Sequence, residues 1–394
     1  MERNLRLYRG YQFARNLLFW FPVFFLYFRS IVPLREVLLL EAIYYAGVVV
    51  LEVPSGYASD LFGRRVVLVA SAGFWAAAYA VFFAAQSFAG LAVAEVLLAA
   101  GMAFNSGSDS SLLYDTLLAL GREAEYVRQE GLAQAGALAG TGGAALVAGF
   151  GAVVSLRVPY LLSLGGALMA FSFAWRLVEP PASRAGEGFF RQVAGAAALA
   201  RRPVLRWCVA FVILMTIMDH VPYEFYQGYL DWLFPRHEMA LPLSGGLVAA
   251  AMFLSSGASR LAGPLEERFG RTRTLLAAAG LQAGVIAAMG LFLHPVVLAL
   301  VLCRDVPNAL WTPILGGMVN ERIDSSRRAT FLSILSLAGR LGFSASLLVS
   351  AAAVERFHEA GWGGLRPLLL GYSGLALLGL VFLGLARPSG DEAS

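Results

Sequence analysis

The chain contains twelve successive runs of about twenty mainly apolar residues, and this feature constrains its fold more than any other. Because a helix needs roughly 20 apolar residues to cross a bilayer, each run is long enough to be a membrane span. With 58% hydrophobic and 14% charged residues, the chain also lacks the polar residues that would coat a soluble core. The sequence predicts an all-α integral membrane protein with spans at 10–31, 36–57, 66–86, 89–112, 129–153, 157–178, 207–230, 241–262, 272–293, 295–319, 329–353 and 366–386.

The distribution of arginine predicts the orientation. All 30 basic residues are arginine; if the amino terminus is cytoplasmic, 21 of them lie in cytoplasmic segments and 6 in outer loops. Cytoplasmic loops of membrane proteins carry the excess of positive charge. We therefore expect a multi-pass protein of the cell (inner) membrane with both termini in the cytoplasm.

The longest polar connection, 179–206, lies between the sixth and seventh spans. It predicts a cytoplasmic linker between an N-terminal six-helix bundle at 1–178 and a C-terminal six-helix bundle at 207–394. Within the linker, apolar residues flanked by arginine at 189–199 predict a short amphipathic helix.

A motif that repeats at an offset of 207 residues indicates that the two halves are duplicated. The first copy, 56–65, reads GYASDLFGRR, and the second, 263–272, reads GPLEERFGRT; each follows the second span of its half. The matching pairs are Gly56 with Gly263, Asp60 with Glu267, Phe62 with Phe269, Gly63 with Gly270 and Arg64 with Arg271.

With this motif the sequence resembles the major facilitator superfamily. The signature of that family is Gly, three residues, Asp, two residues and Gly-Arg-Lys/Arg, which Gly56, Asp60, Gly63, Arg64 and Arg65 match in full. The resemblance covers the whole chain and implies two six-helix bundles around a central cavity that work by alternating access. It also implies a cytoplasmic latch between the halves, formed by the gating residues Gly56, Asp60, Gly63, Arg64, Arg65, Glu267, Gly270 and Arg271. The segments 52–56 and 106–116 are similar, more loosely, to the bacterial efflux-type branch.

Ionisable residues inside the predicted spans point to function, because each is costly in hydrocarbon unless it faces a cavity or a partner. Seven acids (Glu41, Glu52, Glu95, Asp109, Asp219, Glu224 and Asp305) accompany three arginines (Arg15, Arg304 and Arg340). This excess favours protons or cationic ligands over anions. A carboxylate opposite an arginine can take up a proton when the pair opens, or it can form a permanent structural pair. The candidates for proton coupling are Asp219 first and Glu224 second, with His220, Arg304, Asp305 and Arg340.

The first, fourth, seventh and tenth helices line the cavity in the fold that the resemblance implies. Their polar and aromatic faces supply the candidate substrate-cavity residues Asn16, Trp20, Asn105, Asp109, Tyr223, Tyr226, Gln227, Asn308 and Trp311. An aromatic wall with a few acids suits a partly hydrophobic, cationic organic molecule.

The leading hypothesis is proton-coupled efflux of small amphipathic or cationic organic compounds. A proton symporter or facilitator that imports a polar solute is an alternative, which a polar cavity without the aromatic wall would favour; a lipid flippase is another. We expect no enzymatic activity, cofactor or metal site, since the sequence lacks HExxH, GxSxG and a Walker loop, and both cysteines lie in apolar runs. The expected partners of this monomer are a small-molecule substrate, protons and membrane lipids, and no nucleic acid.

Overall fold

The computed structural model describes the backbone of residues 1–181, 188–233, 241–354 and 362–387. Within these ranges, the side chains at 25, 34, 35, 38, 223–233, 241–245, 247, 298, 347–354 and 362–365 fall outside the description. The described residues form seventeen α-helices: α1 (Glu2–Arg15), α2 (Phe24–Arg29), α3 (Leu34–Phe62), α4 (Arg64–Ala84), α5 (Phe88–Asn105), α6 (Ser108–Leu118), α7 (Tyr126–Val154), α8 (Val158–Arg176), α9 (Phe189–Leu199), α10 (Pro203–Leu233), α11 (Leu241–Ser259), α12 (Ala262–Phe269), α13 (Arg271–Leu291), α14 (Pro295–Val301), α15 (Val306–Asn320), α16 (Ser325–Val354) and α17 (Trp362–Leu385).

These helices follow the order of the twelve predicted spans. Nine spans are single helices, namely α3, α4, α7, α8, α10, α11, α13, α16 and α17, and α12 begins where the eighth predicted span ends. Within the described ranges, nine segments are long and apolar enough to cross a bilayer by length and composition. The first, eighth and eleventh predicted spans are not among them, and α16 carries arginines and serines along its length. The amphipathic segment at 189–199 is helix α9.

Three predicted spans are interrupted, and the expectation of one continuous helix in each was wrong. The first comprises α1, which begins at Glu2 rather than near residue 10, and α2; the fourth comprises α5 with α6, and the tenth comprises α14 with α15. In the first span, side chains of neighbouring helices satisfy the freed backbone: Thr141 Oγ1 donates to the carbonyl of Asn16 (3.0 Å), and the backbone N–H of Trp20 donates to Ser163 Oγ (3.2 Å). Such partners make a break tolerable at membrane depth.

The helices pack as two bundles of six spans. In the first, α4 packs against α5 and α8, and α1 packs against α7 and α8; in the second, α10 packs against α16 and α17, and α13 against α15 and α17. Buried aromatic rings fill both cores. Tyr160 lies 4.4 Å from Tyr27 and 5.0 Å from Phe82, measured between ring centroids, and Phe211 lies 5.8 Å from Trp311.

Two helix pairs, α3 with α16 and α7 with α11, carry the main contacts between the bundles. Glycine permits both approaches. A Cβ atom on Gly56 would lie 2.5 Å from Ser333 Oγ, and one on Gly131 would lie 2.6 Å from the carbonyl oxygen of Ser259. Small residues therefore bring the backbones of the two bundles into direct contact.

Candidate functional site

A cavity of about 600 Å³ lies between the two bundles. The first bundle lines it with residues of α1, α6 and α7, and the second bundle with residues of α10, α15 and α16. The cavity brings together eight residues that the sequence singled out: Arg15, Asn16, Asp109, Asp219, His220, Asn308, Trp311 and Arg340. The remaining lining mixes apolar residues with polar ones, which include Gln12, Gln134, Thr216, Thr312 and Ser336.

Asp109 is the acidic centre of the first-bundle wall. Its Oδ2 atom accepts hydrogen bonds from Gln12 Nε2 (3.0 Å) and Asn105 Nδ2 (2.8 Å), and it lies 3.4 Å from Arg15 Nη2. Asn105 thus lies behind the cavity wall and orients Asp109, while its own Oδ1 accepts from Tyr11 (2.7 Å). Arg15 partly compensates the charge of Asp109.

Glu130 is a second acid on this wall, and the sequence reasoning missed it. Its Oε2 accepts a hydrogen bond from the hydroxyl of Tyr8 (2.8 Å), whose oxygen accepts in turn from Gln12 Nε2 (2.7 Å). Tyr8 and Gln12, one helical turn apart on α1, therefore connect Glu130 with Asp109. The signal that could have found this wall is the polar stripe of α1 at 8, 12, 15 and 16.

Asp219 lies on the opposite wall and has neutral partners. Its Oδ2 accepts from Asn308 Nδ2 (3.0 Å) and Trp311 Nε1 (3.1 Å), which share a face of α15. Its Oδ1 is buried and has no hydrogen-bond partner within the described part of the chain. The neighbouring His220 is hydrogen-bonded through Nδ1 to the carbonyl of Thr216 (2.7 Å) and packs on Phe343, with ring centroids 4.3 Å apart.

Arg340 joins the two bundles at the edge of the cavity. Its Nε lies 3.8 Å from Glu52 Oε2 and 3.4 Å from Ser336 Oγ. Glu52 is fully buried, and its other oxygen accepts a hydrogen bond from Ser106. The pair thus ties α16 to α3.

Several predicted residues do not line this cavity. Trp20 lines a separate pocket and donates to the hydroxyl of Tyr79 (3.0 Å). Arg304 and Asp305 lie 3.3 Å apart at the break between α14 and α15. Four others lie on α10, but their side chains are outside the described residues: Tyr223, Glu224, Tyr226 and Gln227.

The segment 56–65, which we call the first motif loop, comprises the end of α3, the turn at Gly63 and the start of α4. It holds the two bundles together at one end of the molecule, which we call the motif end. Asp60 is fully buried and accepts hydrogen bonds from the backbone N–H groups of Ala329 (3.2 Å) and Thr330 (2.9 Å) and from Thr330 Oγ1 (2.6 Å). Its Oδ1 also lies 2.9 Å from Arg64 Nη1. A carboxylate of the first bundle therefore binds the backbone of α16.

Arg64 and Asp115 extend this contact into a buried ionic network. Arg64 Nε lies 3.4 Å from Asp115 Oδ2, and its Nη2 donates to the carbonyl of Ser325 in the second bundle. Asp115 also pairs with Arg328 and accepts from Ser325 Oγ (2.9 Å). Neither Asp115 nor Arg328 was a predicted site residue. Asp115 lies in the segment 106–116, which was noted only for its similarity to the efflux-type branch, and Arg328 directly precedes the predicted span 329–353.

Glu179 caps the helix that follows the first motif loop. Its two carboxylate oxygens accept from the backbone N–H groups of Arg64 (2.7 Å) and Arg65 (2.8 Å), the first residues of α4. Gly63 makes the turn with a φ of +103°. Arg65 stays within the first bundle, where its Nη2 donates to the carbonyl of Trp175 (2.8 Å).

The loop 263–272, the second motif loop, has different partners. Arg271 forms two hydrogen bonds of 2.6 Å with the carboxylate of Glu321 and a third with Glu266, all within the second bundle. Burial raises the pKa of Glu266, and the hydrogen bond from Arg271 opposes the rise. Gly270 repeats the positive φ, at +81°, whereas Glu267, the counterpart of Asp60, is exposed.

A polar layer separates the first motif loop from the cavity. Asn320 Nδ2 of α15 donates to Ser110 Oγ (2.9 Å), which is hydrogen-bonded to the hydroxyl of Tyr126 (2.7 Å). The cavity is thus closed toward the motif end by this layer and by the ionic network beyond it.

Comparisons with known proteins agree with this architecture. The human organic anion transporter MFSD10 (TETRAN) superimposes with a TM-score of 0.76 at 18% identity, covering 97% of this chain and 99% of that one. A bacterial homologue of the iron transporter ferroportin, in an outward-facing state with soaked iron, gives 0.73 at 16% identity (98% and 99% covered). The Escherichia coli fucose:proton symporter gives 0.71 at 15% identity (98% of both chains).

These structural likenesses concern the fold alone, because the identities are low. A search of curated protein sequences finds no match. The family model described as Major Facilitator Superfamily matches residues 13–347, most of the chain including the first motif loop. This match, together with the all-helical fold in two bundles, confirms the resemblance that the sequence indicated: the chain belongs to the Major Facilitator Superfamily.

Proposed function

We propose that the protein is a proton-coupled transporter that exports small organic cations by alternating access, as do the efflux-type members that its sequence resembles. The units that move are the bundles at 1–178 and 207–394, joined by the linker 179–206. The positive-inside rule puts the motif end and both termini in the cytoplasm of the cell that holds the protein in its inner membrane. Both walls of the cavity come from one chain, so a monomer surrounded by lipid suffices.

The unpaired Oδ1 atom of Asp219 is the observation that carries this proposal. Burying an ionised carboxylate costs several kcal/mol unless a cation compensates it. The two described donors to Asp219, Asn308 and Trp311, are neutral. A proton or a cationic ligand bound at Oδ1 would remove that cost, so the two can compete for the same site. Competition of this kind couples export of one to entry of the other.

The charge of the cavity agrees with such cargo. Among its described lining residues, Asp109, Glu130 and Asp219 outnumber Arg15 and Arg340. The two arginines pair with Asp109 and Glu52, and in the described part of the chain neither forms an ion pair with Asp219. The candidate role of His220 in proton transfer remains a proposal, as do those of Arg304, Asp305 and Glu224.

Replacing Asp219 by Asn tests the proposal. In proteoliposomes with an imposed pH gradient and ethidium as the cation, we expect Asp219→Asn to lower proton-driven transport at least about tenfold, a loss of about 1.4 kcal/mol or more in transition-state stabilisation. Glu267→Gln, which neutralises an exposed carboxyl, is the matched control and should transport normally. Proton release on adding ethidium to detergent-purified protein should likewise disappear in Asp219→Asn. Unchanged transport and proton release would move the coupling role away from Asp219.

A second candidate is a proton symporter that imports a polar solute. The polar side chains in the described lining and the position of Trp20 outside the cavity favour it. Direction separates the two candidates: a gradient acidic outside should drive uptake of the cargo by a symporter and its export by an antiporter.

A further inference from the structure

The first bundle contains a second pocket, of about 160 Å³, which we call the aromatic pocket. Aromatic rings form most of its wall, including Trp20, Phe24 and Tyr44, and two carboxyl groups, of Glu41 on α3 and Glu95 on α5, also line it. No described residue lines both this pocket and the central cavity. The aromatic pocket is therefore a separate site, enclosed by helices of one bundle.

Glu95 is the residue that points to a ligand. Its side chain lines the aromatic pocket although the residue is only 4% exposed. Among the described residues it forms no hydrogen bond and no ion pair, and the ionisable group that acts on it is the like-charged Glu41. A buried carboxylate beside a like charge, as Glu95 is, is costly without a counter-charge of its own. A bound cation would supply one.

Tyr160 adds a second unsatisfied polar group. The residue is fully buried and lines the aromatic pocket, and its hydroxyl has no hydrogen-bond partner in the described part of the chain. A buried hydroxyl is normally hydrogen-bonded, so this one requires an explanation. The N–H group of a ligand bound beside Glu95 would provide a hydrogen-bond donor to the Glu95 carboxylate and to the Tyr160 hydroxyl oxygen.

The aromatic rings suit an organic cation better than a metal ion. Trp20 and Phe24 meet edge to face at 80° with centroids 6.0 Å apart, and Trp20 is held by its hydrogen bond to Tyr79. Ring faces attract ammonium groups, whereas hard metal ions need six or more oxygen ligands. The described residues contain no cluster of three or more acidic, histidine or cysteine ligands. A cavity of about 150 Å³ accommodates benzene, so the pocket is large enough for a small amine.

We propose that the aromatic pocket binds the ammonium group of a small organic amine, with Glu95 as its counter-charge and the aromatic rings as its walls. Trp20 was predicted to face the substrate, and this site gives it a role outside the central cavity. The proposal is independent of the transport cycle, since the two sites share no described lining residue.

Calorimetric titration of the purified protein tests whether the aromatic pocket binds an amine. The probe is benzylammonium, and benzyl alcohol is its uncharged analogue of equal size. We expect benzylammonium to bind at least about tenfold more tightly than benzyl alcohol, and Glu95→Gln to weaken benzylammonium at least about tenfold while leaving benzyl alcohol unchanged. Glu123→Gln, the matched control, neutralises an exposed carboxyl that lines neither pocket and should leave both affinities as they are.

Equal affinities for the charged and uncharged probes would overturn the proposal, and this comparison uses the unmodified protein, so it stands even if a variant fails to fold. Loss of benzylammonium binding in Asp219→Asn but not in Glu95→Gln would place the amine in the central cavity and would also overturn it. Absence of any benzylammonium binding would do the same. If ethidium transport fails while the expected affinities are measured, the proposed transport function is contradicted and the amine site in the aromatic pocket is not.

Discussion

The two motif loops have the same spacing but different surroundings. In the first, Asp60 and Arg64 are at most 1% exposed, and their hydrogen bonds reach Thr330 and Ser325 of the other bundle. In the second, the side chain of Arg271 is 19% exposed, and its partners belong to its own bundle. One loop therefore couples the bundles, and the other stabilises its own.

The comparison indicates that burial, rather than the motif itself, determines whether these charges connect the two bundles or stabilise one of them. Ionic interactions across a dry interface are several times stronger than those that water screens. Gly56 lets α16 lie directly over the first motif loop, so its charges are enclosed. Before the second motif loop, α11 meets α7 through the small residues Ser259 and Gly131, and the described ion pairs of Arg271 stay within the second bundle.

Replacing Arg64 should produce the largest contrast. Arg64→Ala leaves Asp60 and Asp115 buried without the cation they share, and breaking a buried pair costs about 3–5 kcal/mol. Arg271→Ala removes a solvent-screened pair, for which about 1 kcal/mol or less is expected. Thermal unfolding of the purified proteins measures the two effects, and labelling of a cysteine introduced at Ser333 reports opening of the motif end. Similar losses in both variants would contradict the contrast.

The second comparison neutralises the acids of the two loops. Asp60→Asn weakens hydrogen bonds to a charged group, worth about 1.5–3 kcal/mol, and should slow the transport cycle because the closed motif end is less stable. Its counterpart Glu267→Gln should turn over at the normal rate. Initial transport rates in proteoliposomes measure both effects. A normal rate for Asp60→Asn would show that the first motif loop does not control the transport cycle.

Glycine provides a steric version of the same test. The added Cβ of Gly56→Ala would lie 2.5 Å from Ser333 Oγ, and overpacking of this kind costs about 1–3 kcal/mol. In Gly263→Ala the nearest atom, Cα of Arg128, is 3.6 Å away, which is an ordinary contact. We expect thermal unfolding to distinguish the two alanines clearly. Equal unfolding temperatures for Gly56→Ala and Gly263→Ala would contradict the close packing of α3 against α16.

The smallest expected effect concerns the cap of α4. Glu179→Ala removes the acceptor of the Arg64 and Arg65 amides, and loss of a helix cap costs about 1 kcal/mol. Hydrogen exchange measured by mass spectrometry should show faster exchange at these two amides, with no change at Arg271 and Thr272 of the second motif loop. Unchanged exchange at α4 would mean that water replaces Glu179 without loss.

Much of the fold could be predicted from the sequence, because the length of an apolar run and the spacing of a motif are local properties. The break within the first span could not, since it depends on partners such as Ser163 and Thr141 that are distant in sequence. The first break also explains the misplacement of Trp20. Helical spacing from Asn16 puts both on one face, but the helix ends between them, so the spacing no longer applies.

The candidate site was predicted in part for the same reason. Asp219 lies near the middle of a predicted apolar span, where a charged group is conspicuous. Glu130, Asp115 and Arg328 lie near span ends, where charges are ordinary, and so they attracted no attention. Their burial arises from helices that approach from elsewhere in the chain.

By itself, the sequence determined the membrane class, the order of the apolar segments, the repeated motif and the family, all of which follow from apolar length and local spacing. The tertiary structure alone decided which charges are paired and which carboxyl groups lack a partner. Asp60 meets Thr330, and Asp219 meets Asn308, across long stretches of chain. Desolvation and Coulomb energies depend on those distances in space, which no local pattern records.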